Sequence, residues 1–165
     1  MVRLMLTDPL TGIGNRRLLT TRLGEEVLRA HRYQRPLTVM FFDVDHFKLV
    51  NDSYGHNVGD VALASVAESL GSGLRDCDLL CRFGGEEFLV VLPETKVGKA
   101  MKVAERMRAD VARLNIPGIP ETLTISAGLA ELTPDESDEQ LLVRCDRALY
   151  RAKEMGRNRC CIDAP

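Results

Sequence analysis

Asp78-Leu-Leu-Cys-Arg-Phe-Gly-Gly-Glu-Glu-Phe-Leu-Val-Val-Leu92 reads as two short apolar strands, about 78–83 and 87–92, joined by Gly84-Gly85. A glycine pair between apolar runs signals a tight hairpin, because primed turns need positive φ. The hairpin carries two carboxylates, Glu86 and Glu87, at its tip. Upstream, Leu37-Thr-Val-Met-Phe-Phe-Asp43 is apolar on both faces, as expected of a central strand. That run also ends in acid. Asp43 and Asp45 lie two apart and share a face if extended geometry persists. Ionised Asp is rarely buried unless it is paired or bound to metal. If the hairpin lies beside the Asp43 strand, Glu86 and Asp43 converge as ligands for a hard cation such as Mg²⁺. Asp45 has a simpler use, as the N-cap of a short helix beginning near His46, and that reading is preferred for it.

The rest of the chain is assigned outward from these two pieces. Asn15 caps a helix reaching about residue 33, with Leu19, Leu23, Val27 and Ala30 on one face. Residues 52–59 are turn-rich, and a helix follows over about 58–70 with Leu63, Val66, Ala67 and Leu70 in helical period. Apolar residues from Val97 to Leu114 mark an amphipathic helix. Leu123, Ile125, Ala127 and Leu129 alternate, predicting a half-buried strand. Leu141 to Ala152 carries the last long helix, and 159–162 a short final strand. This order predicts an α+β fold: a split, ferredoxin-like βαββαβ core with a mostly antiparallel sheet and additional helices.

Bulk properties set limits. The 165 residues suffice for one buried core and are too few for two ordinary domains. A net charge of −2 gives no basic field to attract a nucleic acid polymer. No run approaches the roughly 18 apolar residues of a membrane span, and no secretory leader opens the chain. The five cysteines are odd in number and lack zinc spacing, so they read as reduced core or strand fillers in a cytoplasmic protein.

Gly84-Gly-Glu-Glu-Phe88 matches the signature of the GGDEF family, the diguanylate cyclase catalytic domain, in its variant with Glu at the third position. Asp8-Pro-Leu-Thr-Gly-Ile-Gly-Asn-Arg-Arg17 resembles the family's opening motif, and Asp43-Val-Asp-His-Phe-Lys48, Asn51-Asp52, Tyr54-Gly-His56 and Gly59-Asp60 its second block. Thr124-Ile-Ser-Ala-Gly128 resembles its fourth strand, and Asp146-Arg-Ala-Leu-Tyr-Arg-Ala-Lys-Glu-Met-Gly-Arg-Asn158 its closing helix. The resemblance thus covers nearly the whole chain in order. Ile13, Gly14 and Glu86 are mild departures.

The resemblance implies a palm-type, nucleotide cyclase-like fold and the condensation of two GTP into cyclic di-GMP with release of pyrophosphate. Carried onto this sequence, Asp43, the Val44 carbonyl and Glu86 hold two Mg²⁺ per half-site, for which Mn²⁺ can substitute. Glu86 is the candidate base and Lys48 the group that stabilises transition-state charge. Glu87, by strand alternation, is expected to point elsewhere. Asn51, His56 and Asp60 form the guanine pocket. Lys153 and Arg157 hold the triphosphate, sharing a helix face if the helix reaches Arg157. Arg75 and Asp78 form an RxxD site for product inhibition, with Arg106 as a secondary contact.

Each protomer of the family holds one GTP, so a homodimer is implied. Only about seven residues precede the opening motif, which points to a catalytic domain excised from a longer protein with a sensory or receiver domain. That longer protein could be tethered to a membrane through a further region. A receptor that binds cyclic di-GMP without making it, a GTP-binding regulatory module and a cyclase making cyclic AMP-GMP are the rival readings. Intact Asp43, Lys48, Glu86 and Lys153 weigh against the first, the intact signature against the second, and Asp60 against the third.

Overall fold

Leu37–Val44 forms β1, and every one of its residues is buried. The structure, a computed structural model, describes residues 5–164. In chain order the elements are α1 (Arg16–Tyr33), β1, α2 (Phe47–Tyr54), α3 (His56–Gly71), β2 (Leu79–Arg82), β3 (Glu87–Pro93), α4 (Val97–Ala112), β4 (Ile125–Glu131), α5 (Asp138–Glu154) and β5 (Cys160–Ile162). The sheet runs β2-β3-β1-β4-β5. All neighbours are antiparallel except β4 and β5. The first four strands and the helices between them give the predicted split βαββαβ order, so the α+β expectation is met. No helix among the described residues is long and apolar enough to cross a membrane.

Alternation along the central strands builds a core on each face. Met40, Phe42 and Val44 of β1, with Phe88, Val90 and Leu92 of β3, pack with residues of α3 and α4. Val39, Phe41, Leu89 and Val91 face the other way, toward α1 and α5. Strand period two therefore sends Asp43 and Glu87 to the α5 face. β4 is buried on both faces, not half-buried as its alternation suggested. Its small residues explain this: a Cβ at Gly128 would overlap Cys145 O and Leu149 N, so α5 rests directly on the strand.

Three further local expectations change. The segment read as turn-rich is mostly helical, with α2 and α3 separated only by Gly55 at φ 89°. Phe47 and Val50 are buried beneath α2, and that burial overrides the turn-like composition. The hairpin forms, but neither Gly84 nor Gly85 is among the residues of positive φ. The Phe83 and Gly84 N–H groups both donate to Glu87 O, giving a longer loop in place of a primed two-residue turn. Finally, α2 starts at Phe47 with His46 as N-cap, in the left-handed region, so Asp45 does not cap it.

Two of the five thiols are core fillers, while Cys77 is exposed and Cys160 and Cys161 are half-buried. Cys81 and Cys145 are buried, and burial pushes the Cys81 thiol up to about 12 and the Cys145 thiol higher still.

Candidate active site

The acidic end of the sheet is assembled by register. Asp43 lies directly across from Glu87 on β3, and the Val44 N–H donates to Glu86 O at 3.1 Å. A strand residue's N–H and C=O point to the same side, so the Val44 carbonyl also faces the hairpin. Asp43 is 8% exposed. Burial raises its pKa, Lys153 opposes the rise, and the charges of Glu86 and Asp45 add to it. Glu87 is raised by burial and then by Asp43 and Glu86. Glu87 therefore does not point away from Asp43. Glu86 belongs to the turn, so Glu87 is the first true strand residue and takes the Asp43 face.

Lys153, on the last turn of α5, offsets this charge, its Nζ lying 3.0 Å from Asp43 Oδ2. The helix stops at Glu154 and Arg157 sits beyond it at φ 63°, so Lys153 and Arg157 do not share a helix face. Gly156, at φ 119°, ends the run as a C-terminal glycine commonly does. Asp45 is buried and accepts from Thr124 Oγ1 (2.7 Å), Ser126 Oγ (2.6 Å) and the Asn158 N–H (3.0 Å). It joins β1 to β4 and to the chain after α5.

Among the described residues no three His, Cys, Asp or Glu side chains converge as a metal cage. The donor set nonetheless fits Mg²⁺ or Mn²⁺. Such ions usually take one or two carboxylates and complete their octahedra with water and substrate phosphates. Asp43, Glu86 and the Val44 carbonyl are hard oxygen donors of that type.

The hairpin tip is held from outside. Arg82 Nη2 and Nε donate to Gly85 O at 2.8 and 3.1 Å, and its Nη1 pairs with Asp8 Oδ1 at 3.3 Å. Asp8 in turn accepts from the Thr11 N–H and Oγ1. Burial alone would raise the Asp8 pKa, but the bonds from Thr11 and Arg82 outweigh it and hold it low. The sequence reading gave Asp8 and Arg82 no role. The motif order contained them, but only the fold brings them together.

Lys48 lies exposed in the first turn of α2, and Asp60 exposed in the first turns of α3. Asn51 is half-buried, with its Oδ1 against Gly59 where a Cβ would overlap it. His56 is exposed as the first residue of α3. These four thus cluster on the α2–α3 pair that follows the acidic end of β1.

Arg75 and Asp78 form a forked pair in the α3–β2 loop, away from this cluster in the chain. Arg75 Nη2 meets Asp78 Oδ1 at 2.8 Å and Nε meets Oδ2 at 3.2 Å. The Arg75 N–H also donates to Asp78 Oδ2, and Nη2 reaches Pro93 O and Thr95 Oγ1. The Asp78 side chain is 3% exposed and that of Arg75 48%. Beside them is a cavity of about 560 Å³ whose lining includes Arg22, Arg29, Arg35 and Arg75 as well as Glu26 and Glu94. Arg106, on α4, donates to Gly73 O at 3.3 Å, two residues before Arg75.

The fold agrees with comparison to known proteins. The model of the diguanylate cyclase GGDEF domain matches residues 5–159. The chain is 45% identical over 156 residues to the diguanylate cyclase DgcP of Pseudomonas aeruginosa, covering 93% of this chain and 23% of DgcP. It is 40% identical over 168 residues to the response regulator PleD of Caulobacter vibrioides, covering 95% of this chain and 36% of PleD. A crystal structure of the DgcB GGDEF domain from Caulobacter crescentus in complex with c-di-GMP superposes with a TM-score of 0.93 at 32% identity, covering 100% of this chain and 97% of that one. The chain belongs to the GGDEF family of diguanylate cyclase domains. It spans only about a quarter to a third of the length of these two curated relatives.

Proposed function

We propose that this chain is the catalytic domain of a diguanylate cyclase. The 3′-hydroxyl of one GTP attacks the α-phosphorus of a second, the bond to the pyrophosphate breaks, and the hydroxyl proton leaves. Repeating the step closes the ring of cyclic di-GMP. The observation that carries this reading is that Asp43, paired with Lys153, meets the Glu86–Glu87 hairpin at the end of β1 in a chain of this family.

Asp43, the Val44 carbonyl and Glu86 would hold two Mg²⁺ ions, or Mn²⁺, through hard oxygens. Bound there, the ions would offset charge on the phosphates and brace the attacking and leaving oxygens. Glu86 takes the hydroxyl proton. Lys48 stabilises charge that builds on the phosphate. Lys153, already an ion-pair partner of Asp43, holds the triphosphate together with Arg157. Asn51 and Asp60 read the guanine edge and His56 shapes that pocket. Asp60 accepts from guanine N1–H and the 2-amino group, which adenine cannot match.

Cyclic di-GMP inhibits through Arg75 and Asp78, with Arg106 as an added contact. The half-exposed Arg75 fork and the arginine-lined cavity beside it support an anionic, guanine-bearing ligand. The c-di-GMP complex of the DgcB domain supports the same ligand class. Each protomer binds one GTP, so the active form is a homodimer. In the longer protein a sensory or receiver domain controls it, as the similarity to a response regulator suggests. Its need for GTP puts the domain in the cytoplasm.

The test is GTP with Mg²⁺ and separation of the products. Cyclic di-GMP and pyrophosphate are expected, and both disappear on chelation or in Asp43→Asn. Tight binding of cyclic di-GMP with no turnover would replace the enzyme by a receptor.

A further inference from the structure

Between α5 and β5 the chain passes through three consecutive left-handed residues: Gly156 (φ 119°), Arg157 (63°) and Asn158 (47°). For Arg157 this backbone is unfavourable and persists where the surroundings impose it, whereas Asn adopts it more readily. The Asn158 N–H donates to Asp45 Oδ2 at 3.0 Å. Asn158 Oδ1 accepts from Arg108 Nη1 of α4 at 2.9 Å. The loop is thus gripped through both the backbone and the side chain of its last residue.

Asp45 is a rigid post for that grip. It is 5% exposed, its Oδ1 accepts from Ser126 Oγ and its Oδ2 from Thr124 Oγ1. Its own N–H donates to Thr124 O at 2.9 Å. A buried carboxylate whose two oxygens are held by three donors from separate parts of the chain has little freedom to swing. It stands two residues from Asp43, so the post and the metal-binding end of β1 move as one. Lys153 does not depend on it, being fixed by α5 itself. An apolar residue at this position would leave the Asn158 N–H and the Thr124 and Ser126 hydroxyls without their acceptor.

We propose that Asp45 is a positioning residue that holds the 156–158 loop in its left-handed form, with Arg108 as a second brace, so that Arg157 is presented to the nucleotide triphosphate. This rests on the reading of Arg157 as a triphosphate contact.

The experiment is a double-mutant cycle of Asp45→Ala and Arg157→Ala. It is read by equilibrium binding of an α,β-methylene GTP analogue and of guanosine, with the unfolding temperature of each variant. Each single variant weakens the triphosphate ligand about tenfold, the loss of one charge-assisted contact, and leaves guanosine binding unchanged. The double variant is no more than about twofold worse than Asp45→Ala, because the misplaced arginine has little left to lose. Full additivity, about a hundredfold in the double variant, overturns the proposal, as does an equal loss for guanosine. An Arg157→Ala variant with unaltered binding overturns the triphosphate reading itself, and the proposal with it. Arg108→Ala, a substitution on the α4 surface, guards against an Asp45→Ala chain that does not fold. It gives the same pattern at about threefold, and no change there also overturns the proposal.

Discussion

Asp60 stands exposed near the start of α3, where its carboxylate is free to meet a base edge. Selectivity of this kind comes from polar groups left unpaired by the wrong ligand. Asp60→Ala should therefore lower the preference for GTP over ATP by about a hundredfold, measured by substrate competition. An unaltered preference would remove Asp60 from base reading. Arg75 holds Asp78 in the fold and, in the proposed function, also binds product, so its substitution tests both roles. Truncation leaves the nearly buried Asp78 carboxylate with the backbone N–H of residue 75 as its remaining partner from that residue. Arg75→Ala should lose cyclic di-GMP binding and also cost about 1–3 kcal/mol in urea unfolding. Arg75→Lys keeps the charge without the planar fork, so it should recover stability better than binding. Unchanged product affinity in Arg75→Ala would detach the pair from inhibition.

At the scale of elements, Gly128 decides how closely α5 approaches the sheet. A Cβ there meets helix backbone, which cannot rotate aside as a side chain can. Gly128→Ala should destabilise the fold by about 1–3 kcal/mol and lift the Lys153 end of α5 from Asp43, so activity falls with stability. Unfolding and turnover at wild-type values would show that α5 has slack. The elements that sequence reading assigned well are those with a strong period and a clear cap. α1 starts after Asn15, whose Oδ1 accepts from the Leu18 N–H at 3.0 Å as expected of that cap. β1 is recognisable because both its faces are apolar. The misses have physical causes. Asn51, Asp52, Ser53 and Gly55 look like turn residues, yet α2 forms because Phe47 and Val50 are buried. β4 looked half-buried because Ser126 and Gly128 do not register as apolar, although α5 covers them. Two overlooked signals were local. Ser137 and Gln140 form the capping box that opens α5 before its apolar period begins. Gly156 marks where that helix must stop. The Asp45 network was not readable at all, since its partners at 124, 126 and 158 are distant in the chain.

Across the whole molecule, a charged cluster fastens the residues after β5 to α5 and to the loop that precedes it. Asp163 accepts from Arg144, Arg147 and Arg151, and Arg144 also pairs with Glu136 at 2.7 Å. The hydrogen bond from Arg147, with help from Arg151 and Arg144, holds the Asp163 carboxyl below the ordinary 3.8 despite some opposition from burial. A depressed carboxylate stabilises the fold fully above its unfolded pKa, and that stabilisation is lost as pH falls through the folded one. The stability difference between the wild type and Asp163→Asn should accordingly be constant at neutral pH and shrink below about 3.8. A difference independent of pH would contradict the ion-pair account. At the opposite end, Arg82 links the Asp8 turn to the hairpin tip, so the start of the domain and the acidic site share one structural support. The proposed reaction needs two copies of this chain to join two GTP. Its most direct test is the rate of cyclic di-GMP formation from GTP and Mg²⁺ across a range of protein concentrations. The expected rate rises more steeply than linearly until the dimer saturates, with no product from Glu86→Ala at any concentration. A strictly linear rate at concentrations where the protein is monomeric, or product formed by Glu86→Ala at the wild-type rate, would contradict it.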